Sequence, residues 1–500
     1  MQDLIEAPSL QFDLVTIGGG FAGLVSAVRA AELGMRVAVL ERGTGAHYPC
    51  NSRIATGAFV VMGKKISLPP AELFKAIMER TDRTADPALA SLIAHHARRA
   101  RLWLQSHGAK FINVAAFKGD AILAPPRRIR AGVDWQGRGS DALLGHLEAS
   151  LNRLGGRLIR GAEVRCIVAE DGRCSGVVAQ IAGAHVHVRT RAVVVADGGF
   201  QASTEMIREH ITTMPDKVLV RAYPTSTGDG IRMAAAIGAH IGGFGQFYGH
   251  LQHRSAMTNA ELWPYPQLDA LAEAGVLVGA NGLRFADEGL GGVCMANAVA
   301  RSADPLGTTI VLDNDSWAGE AGCALPVPAN AALSSRGIAP LSAPSIPALA
   351  ELAGIDASAL ASTIAEHNQA LAIGDFGKLW PRRSVGTSGL SSTVHDRRTE
   401  GPQPILKAPF HALPICAGIT QTMGGIRINA RAQALRPDGT PVDGLYVSGS
   451  PVFGLDGGAR AGYVGGFAKA FVLGLVSAES AAADHNPAQR HEKLSNASAH

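Results

Sequence analysis

Cysteine is scarce in this sequence of 500 residues: there are six cysteines, and no two of them form a C-x-x-C pair. Haem attachment and iron–sulfur ligation need clustered cysteines, so redox centres of those types are excluded from the sequence. Scattered and unpaired cysteines are typical of core thiols in a reducing compartment, and they predict a cytoplasmic location.

An excess of charge of one sign is also missing, because 46 Lys and Arg stand against 42 Asp and Glu. There is no basic tract and no stripe of alternating basic and aromatic residues, so nucleic-acid binding is not expected. No uninterrupted apolar run reaches about 20 residues, so a membrane span is not expected either. His, Asp and Glu show no metal-ligand spacing, which predicts no metal site.

Glycine and apolar residues are abundant, with 59 glycines and 47% hydrophobic residues. This length and composition allow a large core and two or more domains. A high glycine content suits a protein whose backbone must approach a bound cofactor closely.

The most informative segment lies near the N-terminus, where a buried strand at 14–17 is followed by Gly18, Gly20 and Gly23 in G-x-G-x-x-G spacing. A helix is predicted over about 22–33, and a second strand ends at Glu41. The glycines permit a tight turn, a close approach to a pyrophosphate and helix–strand packing, and Glu41 can accept hydrogen bonds from ribose hydroxyls. The segment therefore predicts a dinucleotide-binding βαβ unit.

The rest of the chain predicts an α/β fold in which a Rossmann-type domain is interrupted by an inserted module. Helices are predicted over 85–107 and 140–154, the latter with Ser140 as N-cap, and a buried strand over 192–196 closes the first part. The parallel-sheet pattern resumes at 444–449 and is followed by an apolar helix over about 465–483. We predict a cofactor domain over 1–211, an α+β capping domain over 212–395, the completion of the cofactor domain over 396–485, and a disordered tail over 486–500.

Several further segments stand in the order of a known flavoprotein family: Asn51-Ser52-Arg53 with Ala55-Thr56-Gly57, Ala196-Asp197-Gly198-Gly199-Phe200, Thr227-Gly228-Asp229-Gly230, Asn281 to Glu288, Thr422-Met423-Gly424-Gly425, Gly444 to Gly449, and Tyr463-Val464-Gly465-Gly466. With these segments the chain resembles the FAD-dependent flavoprotein family of fumarate reductase and succinate dehydrogenase. The resemblance is greatest to the branch of tricarballylate dehydrogenase and the 3-ketosteroid dehydrogenases. It implies a three-layer FAD-binding domain of the glutathione-reductase type with an inserted cap.

The resemblance also implies the cofactor and its contacts. FAD is expected to be noncovalent, because Ser52 stands where succinate dehydrogenases attach the flavin through a His. The residues that it assigns to FAD are Gly18, Gly20, Phe21, Ala22, Gly23, Glu41, Arg42, Asn51, Ser52, Gly57, Asp197, Gly198, Asp229, Gly449, Ser450 and Gly465.

The sequence departs from the fumarate reductases at three places. The proton-donating Arg expected a few residues after Glu288 is absent from Gly289–Gly292, the His before T-x-G-G is Gln421, and the Arg before the last double glycine is Tyr463. A C4-dicarboxylate site of the fumarate type is therefore not expected. Tyr463 occupies the place of a Tyr that binds the substrate carbonyl in ketosteroid dehydrogenases, and the backbone N–H groups of Gly465 and Gly466 would assist it.

A segment dense in hydrogen-bonding side chains, 247–254, supplies the other catalytic candidates. Tyr248 or His250 is the candidate base for an α-proton, and Arg254 is a candidate to hold a carboxylate or polarise a carbonyl. Two further candidates for anion binding are Arg53 and Arg460. Asp287 and Glu288 are expected to pair with Arg284 or another cation and to lock the cap to the FAD domain.

The hypothesis that follows is an FAD-dependent dehydrogenase that introduces, or in reverse reduces, a C=C bond α,β to the carbonyl of a small cyclic ketone or carboxylic acid. The α-proton would leave to a base and hydride to the flavin. The alternatives are a flavin-dependent hydroxylase or amine oxidase on the same fold, and a non-catalytic FAD electron-transfer subunit. The expected partners are a small carbonyl or carboxylate substrate and an electron acceptor that is a quinone, an electron-transfer protein or O2.

Overall fold

The computed structural model describes residues 9–114, 121–128, 130, 134–324, 326–384 and 401–485. The predicted tail, 486–500, and the predicted domain boundary between 395 and 396 lie outside the described residues.

The strands, in chain order, are β1 (Ser9–Gln11), β2 (Leu14–Ile17), β3 (Val37–Glu41), β4 (Val60–Val61), β5 (Lys64–Lys65), β6 (Phe111–Asn113), β7 (Ala121–Leu123), β8 (Arg157–Arg160), β9 (Ala162–Glu170), β10 (Arg173–Ile181), β11 (Ala184–Arg189), β12 (Val193–Val195), β13 (Leu219–Val220), β14 (Ile241–Gly242), β15 (Phe247–His253), β16 (Val276–Val278), β17 (Thr309–Asp313), β18 (Leu341–Ala343), β19 (Phe410–Thr422), β20 (Gly425–Arg427), β21 (Gln433–Leu435), β22 (Pro441–Val447) and β23 (Val452–Phe453).

The α-helices are α1 (Phe21–Glu32), α2 (Asn51–Ile54), α3 (Pro70–Arg80), α4 (Pro87–Ser106), α5 (Gly139–Arg153), α6 (Thr204–His210), α7 (Asp229–Ala236), α8 (Asp269–Ala274), α9 (Gly292–Arg301), α10 (Asn314–Ala318), α11 (Ala329–Ser334), α12 (Ile346–Ala353), α13 (Ala357–Ile373) and α14 (Gly466–His485).

A parallel sheet in the order β22-β12-β2-β3-β8 forms the centre of the cofactor domain. Strands β2, β3 and β12 are buried along their whole length, as expected for a sheet covered on both faces. β10 continues the sheet beside β22 and forms an antiparallel layer with β9 and β11. The predicted α/β Rossmann-type fold is confirmed.

A helical layer covers the central sheet, in which α1 contacts α14 and α5. Phe21 of α1 meets Phe471 of α14 with ring centroids 5.1 Å apart, and the Ser26 and Ser477 hydroxyls lie 3.1 Å apart. Among the described helices, α14 alone has the length and apolar composition to cross a membrane, and 72% of its apolar window is buried inside the protein. Its apolar composition is therefore accounted for by packing in the core.

The second sheet belongs to the cap and has the order β13-β19-β17-β16, with β15 and β18 also paired to β19. Residues 410–422, which we predicted within the C-terminal part of the cofactor domain, form β19 and are hydrogen-bonded to these cap strands. The prediction was wrong for this segment because an apolar strand carries no signal for the sheet it joins. The chain returns to the cofactor domain only after β19.

The N-termini of α4 and α5 show how local sequence sets where a helix begins. Asp86 caps α4 by accepting hydrogen bonds from the N–H groups of Ala88 and Leu89, and Pro87 stands at the first position, where its missing N–H costs nothing. α5 begins at Gly139, so Ser140 is not the predicted N-cap. Its hydroxyl donates instead to the carbonyl of Ala55, which ties α5 to the segment after α2.

Candidate active site

A large cavity lies where the carboxyl ends of β2, β3 and β12 meet the cap. We call its two sides the glycine wall (Gly18–Ala22, Glu41 and Asp197, with Gly23 packed behind them) and the tyrosine wall (Tyr248, His250, Gln421 and Tyr463, with Asp269 behind His250). Every residue that we predicted to bind the cofactor lines this cavity except Gly23. In open α/β sheets, ligands bind at this end of the strands.

The glycine wall brings backbone close to the cavity. Gly18 has φ +101°, and a Cβ there would lie 2.8 Å from the carbonyl oxygen of Ala196. A Cβ at Gly23 would lie 2.0 Å from the carbonyl oxygen of Gly18, so only glycine lets α1 pack against the turn. No side chain caps α1 at Gly20, which leaves N–H groups at this helix N-terminus for an anion such as a pyrophosphate.

Ser52 and Glu41 complete the wall. The Ser52 hydroxyl accepts a hydrogen bond of 3.0 Å from the N–H of Phe21 in the first turn of α1. The buried Glu41 carboxylate accepts from the N–H groups of Gly19 and Gly43, at 2.8 and 2.7 Å. Each of its oxygens keeps a further lone pair, which suits the hydroxyls of a ribose.

Asp197 provides a direct test of whether the wall fits a cofactor. Its Oδ2 accepts a hydrogen bond of 2.8 Å from the N–H of Gly230, whereas Oδ1 is buried without a partner among the described residues. Burial raises the pKa of Asp197 to about 6. A buried acceptor that lines a cavity needs a donor from a ligand, so these residues fit the polar part of FAD.

The other predicted cofactor residues line the cavity while holding the loop 223–229. The side chain of Asn51 donates to Ser226 and accepts from the N–H of Tyr223. Arg42 donates to the Thr225 carbonyl and to Thr227, and lies 3.6 Å from Asp229. Gly57, Gly198, Gly449 and Ser450 contribute only to the lining.

In the tyrosine wall, the ring of Tyr463 stacks on that of Tyr248, with centroids 4.1 Å apart and planes at 12°. The Tyr463 hydroxyl donates to Oε1 of Gln421 at 2.9 Å. The Tyr248 hydroxyl lies 3.1 Å from Nε2 of His250. Residues from α14's leading loop, β15 and β19 therefore converge at one place.

Asp269 orients His250. Its Oδ2 lies 2.6 Å from His250 Nδ1, and its Oδ1 accepts from the N–H of Leu251 at 2.9 Å. Because a carboxylate can only accept, Nδ1 carries the proton and Nε2 is the acceptor for the Tyr248 hydroxyl. The three side chains therefore form a hydrogen-bond chain in which Tyr248 donates to His250 and His250 donates to Asp269.

Burial controls the protonation of these groups. It raises the pKa of both Tyr463 and Tyr248, so both phenols stay protonated at neutral pH. Burial lowers the pKa of His250, and the Asp269 carboxylate opposes that shift. A neutral imidazole at pH 7 is the form that can take a proton from Tyr248.

A buried ion pair supports the start of α14. Lys469 is fully buried and pairs with Asp456, whose other oxygen accepts a 2.8 Å hydrogen bond from the N–H of Val464. The pair fixes the segment that carries Tyr463 and leads to Gly465 and Gly466, which line the cavity as predicted.

The structure corrects three arginine predictions, because none of these side chains is among the cavity-lining residues. Arg53 pairs with Asp141 and donates to the Tyr48 carbonyl. Arg254, in the turn after β15, lies with its Nε buried and unpartnered among the described residues. Arg460 faces Asp82, with 3.5 Å between Nε and Oδ1. These arginines are close in sequence to residues that line the cavity, but their guanidinium groups lie outside it.

The predicted pairing of Glu288 with Arg284 is present, with Arg383 3.9 Å away. The predicted lock to the FAD domain is wrong. Arg284 donates to the Pro381 carbonyl and Asp287 accepts from Ser384, so these contacts hold the cap together internally.

Sequence reasoning missed several cavity residues, which we group as the arginine pocket: Arg127, Arg221, Trp263 and Tyr265. It also missed Asp269. The run Trp263-Pro264-Tyr265-Pro266, in which aromatic residues alternate with prolines, is the one sequence signal that could have indicated this pocket. Arg127, Arg221 and Asp269 carried no sequence signal, because they come from distant segments that only the folded cap joins.

Comparison with known proteins agrees with this geometry. The profile of a family described as FAD binding domain matches residues 13–463. Fumarate reductase (cytochrome) of Shewanella frigidimarina is 23% identical over 479 residues, which cover 92% of this chain and 75% of that protein. The 4-oxocyclohexanecarboxylate 2-dehydrogenase of Sinomonas cyclohexanicum is 25% identical over 571 residues, which cover 93% of this chain and 91% of that protein.

Among solved structures, the 3-ketosteroid Δ1-dehydrogenase of Sterolibacterium denitrificans shares the fold. Its TM-score is 0.74 at 18% identity, covering 95% of this chain and all of the other. The predicted family and cofactor are confirmed, and the relatives are oxidoreductases that act on CH–CH groups. The chain therefore belongs to the family described as FAD binding domain, with FAD as its cofactor.

Proposed function

We propose that the protein is an FAD-dependent dehydrogenase that introduces a C=C bond α,β to the carbonyl of a small cyclic substrate. The observation that carries the proposal is the tyrosine wall, where the phenol of Tyr463 stacks on that of Tyr248. The Tyr248 hydroxyl is hydrogen-bonded in turn to His250, and His250 to Asp269. Desaturation next to a carbonyl needs both functions, because the α-proton leaves only when the developing enolate oxygen is stabilised.

In this proposal the Tyr463 hydroxyl turns its proton from Gln421 Oε1 to the substrate carbonyl oxygen. The same oxygen accepts from Nε2 of Gln421, which is buried and unpartnered among the described residues. The α-proton passes to Tyr248 Oη while the hydroxyl proton of Tyr248 moves to His250 Nε2. The resulting imidazolium is stabilised by Asp269. When bound, FAD supplies the acceptor for the hydride that leaves the β-carbon, so the substrate loses one proton and one hydride in total.

We propose further that FAD is held noncovalently, since Ser52 uses its hydroxyl to accept from the first turn of α1. The reoxidant is proposed to be a quinone, an electron-transfer protein or O2. Membership of the tricarballylate-dehydrogenase-like branch stays a prediction, and tricarballylate belongs in the substrate test.

The test is anaerobic mixing of the FAD-loaded protein with a panel of tricarballylate, cyclohexanone, 4-oxocyclohexanecarboxylate and a 3-ketosteroid. Loss of flavin absorbance with a cyclic carbonyl compound, together with recovery of the α,β-unsaturated product, is the expected result. Reduction by NADH or NADPH instead would favour the hydroxylase. A protein that is reduced by no member of the panel would contradict the proposal and favour the electron-transfer subunit.

A further inference from the structure

The arginine pocket contains two buried cations without counter-ions. Arg221 is 7% exposed and Arg127 is 8% exposed, and both line the cavity. Among the described residues, no carboxylate lies within ion-pair distance of either guanidinium, although the chain pairs its other buried arginines, such as Arg53 and Arg284. A buried charge is ordinarily neutralised by a partner, so a negative charge is missing from this place.

The two cations lie on the same aromatic ring. The guanidinium carbons of Arg127 and Arg221 are 5.9 and 5.8 Å from the ring centroid of Tyr265. Burial lowers the pKa of Arg221, and the charge of Arg127 is close enough to lower it further, yet a guanidinium remains protonated in proteins. Two like charges held together in a cavity wall favour an anion between them.

The free donors of the pocket point to the same conclusion. Arg221 donates from Nε and Nη2 to the Pro264 carbonyl and from Nη1 to Thr420, which leaves a second N–H on each Nη. Arg127 donates from Nη1 to the Ile54 carbonyl. The indole Nε1 of Trp263 is buried with no partner among the described residues. The unused groups of the two arginines and of Trp263 are all donors, as a planar carboxylate requires.

The pocket lies on the reacting side of the cavity. Arg221 follows β13, its backbone N–H donates to Ile419 of β19, and its side chain contacts Thr420, the neighbour of Gln421. Burial raises the pKa of Tyr248 and lowers that of His250, and the charge of Arg221 opposes the first shift and adds to the second. The pyrophosphate-binding turn, by contrast, is at the N-terminus of α1, and neither arginine hydrogen-bonds to it.

We propose that the arginine pocket is a carboxylate subsite and that the substrate is a cyclic keto acid, with its ketone at Tyr463 and its carboxylate between Arg221 and Arg127. The identification of the substrate as a keto acid rests on the function proposed above, whereas the carboxylate subsite itself does not. A keto acid substrate would also explain why the cavity has two separate polar regions, the Tyr463 phenol for a ketone and the arginine pocket for a carboxylate.

The test measures binding apart from turnover. Cyclohexanecarboxylate has no ketone, and cyclohexanecarboxamide is its neutral counterpart. Binding of each to the FAD-loaded protein is measured by calorimetry and by the flavin difference spectrum. The carboxylate is expected to bind roughly 10- to 100-fold more tightly than the amide, because charge-assisted hydrogen bonds are lost with the amide.

Arg221→Met is expected to remove this preference, Arg221→Lys to keep part of it, and Arg460→Met, outside the cavity, to leave it unchanged. Flavin content and the thermal midpoint report whether each variant folds. Equal affinity of wild type for the acid and the amide would overturn the subsite. An Arg221→Met variant that loses FAD but still prefers the acid to the amide would also overturn the subsite, because Arg221 would then bind the cofactor.

Turnover separates this proposal from the function on which it rests. If cyclohexanecarboxylate binds through Arg221 but no cyclic ketone or keto acid bleaches the flavin, the subsite stands and the proposed dehydrogenation fails. If cyclohexanone is desaturated as efficiently as 4-oxocyclohexanecarboxylate and the acid shows no preference in binding, the dehydrogenation stands and the subsite fails.

Discussion

The two walls of the cavity bind by different means. The glycine wall acts through backbone: a turn, a helix N-terminus and carboxylates held by N–H groups. The tyrosine wall acts through side chains that come from β15, β19, α8 and the loop before α14. A backbone site can be encoded within one βαβ unit, whereas a side-chain site of this kind requires the whole cap to be folded.

The largest effect is expected beneath the tyrosine wall, at the buried Lys469–Asp456 pair. Lys469→Met leaves the Asp456 carboxylate buried and unpaired, which should cost about 4 kcal/mol in the free energy of unfolding. Denaturant titration measures this loss. The double variant Lys469→Met/Asp456→Asn is the control and should recover most of it. A single variant as stable as wild type would show that the tyrosine wall needs no such support.

The proton path that we propose for the tyrosine wall gives the next largest effect. Asp269→Asn replaces an obligate acceptor with an amide that can donate to His250 Nδ1, so Nε2 can carry the proton and no longer accept from Tyr248. The rate of flavin reduction by a productive substrate should fall about 300-fold, within the usual range for acid–base catalysis. Asp304→Asn, an exposed position paired with Lys217, is the control and should leave the rate unchanged.

The pH dependence follows from the lowered pKa of His250. At pH values between the pKa of His250 in the folded protein and its ordinary value of 6.5, the folded protein binds fewer protons at this residue than the unfolded protein does. The contribution of His250 to the free energy of unfolding therefore falls as the pH drops through this window. The rate should also fall on the acid side, once His250 is protonated. Because the Asp269 carboxylate raises the pKa of His250, the acid side of the rate–pH profile of Asp269→Asn should move to lower pH. An acid limb at higher pH would contradict the assigned path.

Tyr463→Phe tests the proposed donor to the substrate carbonyl. Loss of a preorganised oxyanion donor should lower the rate of flavin reduction by about 100-fold while FAD content stays the same. Tyr446→Phe is the matched control, because its hydroxyl donates to Asp484 outside the cavity lining. An unchanged rate for Tyr463→Phe would remove this phenol from the chemistry.

The smallest effect is expected at the glycine wall. Gly23→Ala places a Cβ against the Gly18 carbonyl oxygen, and the overpacking should cost about 2 kcal/mol, or roughly 30-fold in FAD affinity. Gly145→Ala on α5, where a Cβ meets nothing within 4 Å, should leave the affinity unchanged. Flavin release followed by fluorescence distinguishes the two. Equal affinities would mean that the turn tolerates displacement of α1.

The residues whose places could be predicted from the sequence belong to the glycine wall and to local turns. The βαβ unit, Asn51–Ser52 and the Gly465–Gly466 turn are local patterns whose chemistry depends on neighbours in the chain, and their predicted places line the cavity. Arg53, Arg254 and Arg460 were chosen for proximity in the chain. Their guanidinium groups lie outside the cavity lining. Arg53 and Arg460 face carboxylates from distant parts of the chain, and Nε of Arg254 is buried without a partner among the described residues.

The sequence by itself determined the cofactor domain and its family, since a parallel βαβ unit with G-x-G-x-x-G is stabilised by contacts within some 30 residues. Only the tertiary structure decided that β19 joins the cap sheet, that Asp269 stands behind His250, and that Arg127 and Arg221 both lie beside the ring of Tyr265. Hydrophobic periodicity specifies which residues are buried, but long-range pairing and packing specify which buried side chains meet.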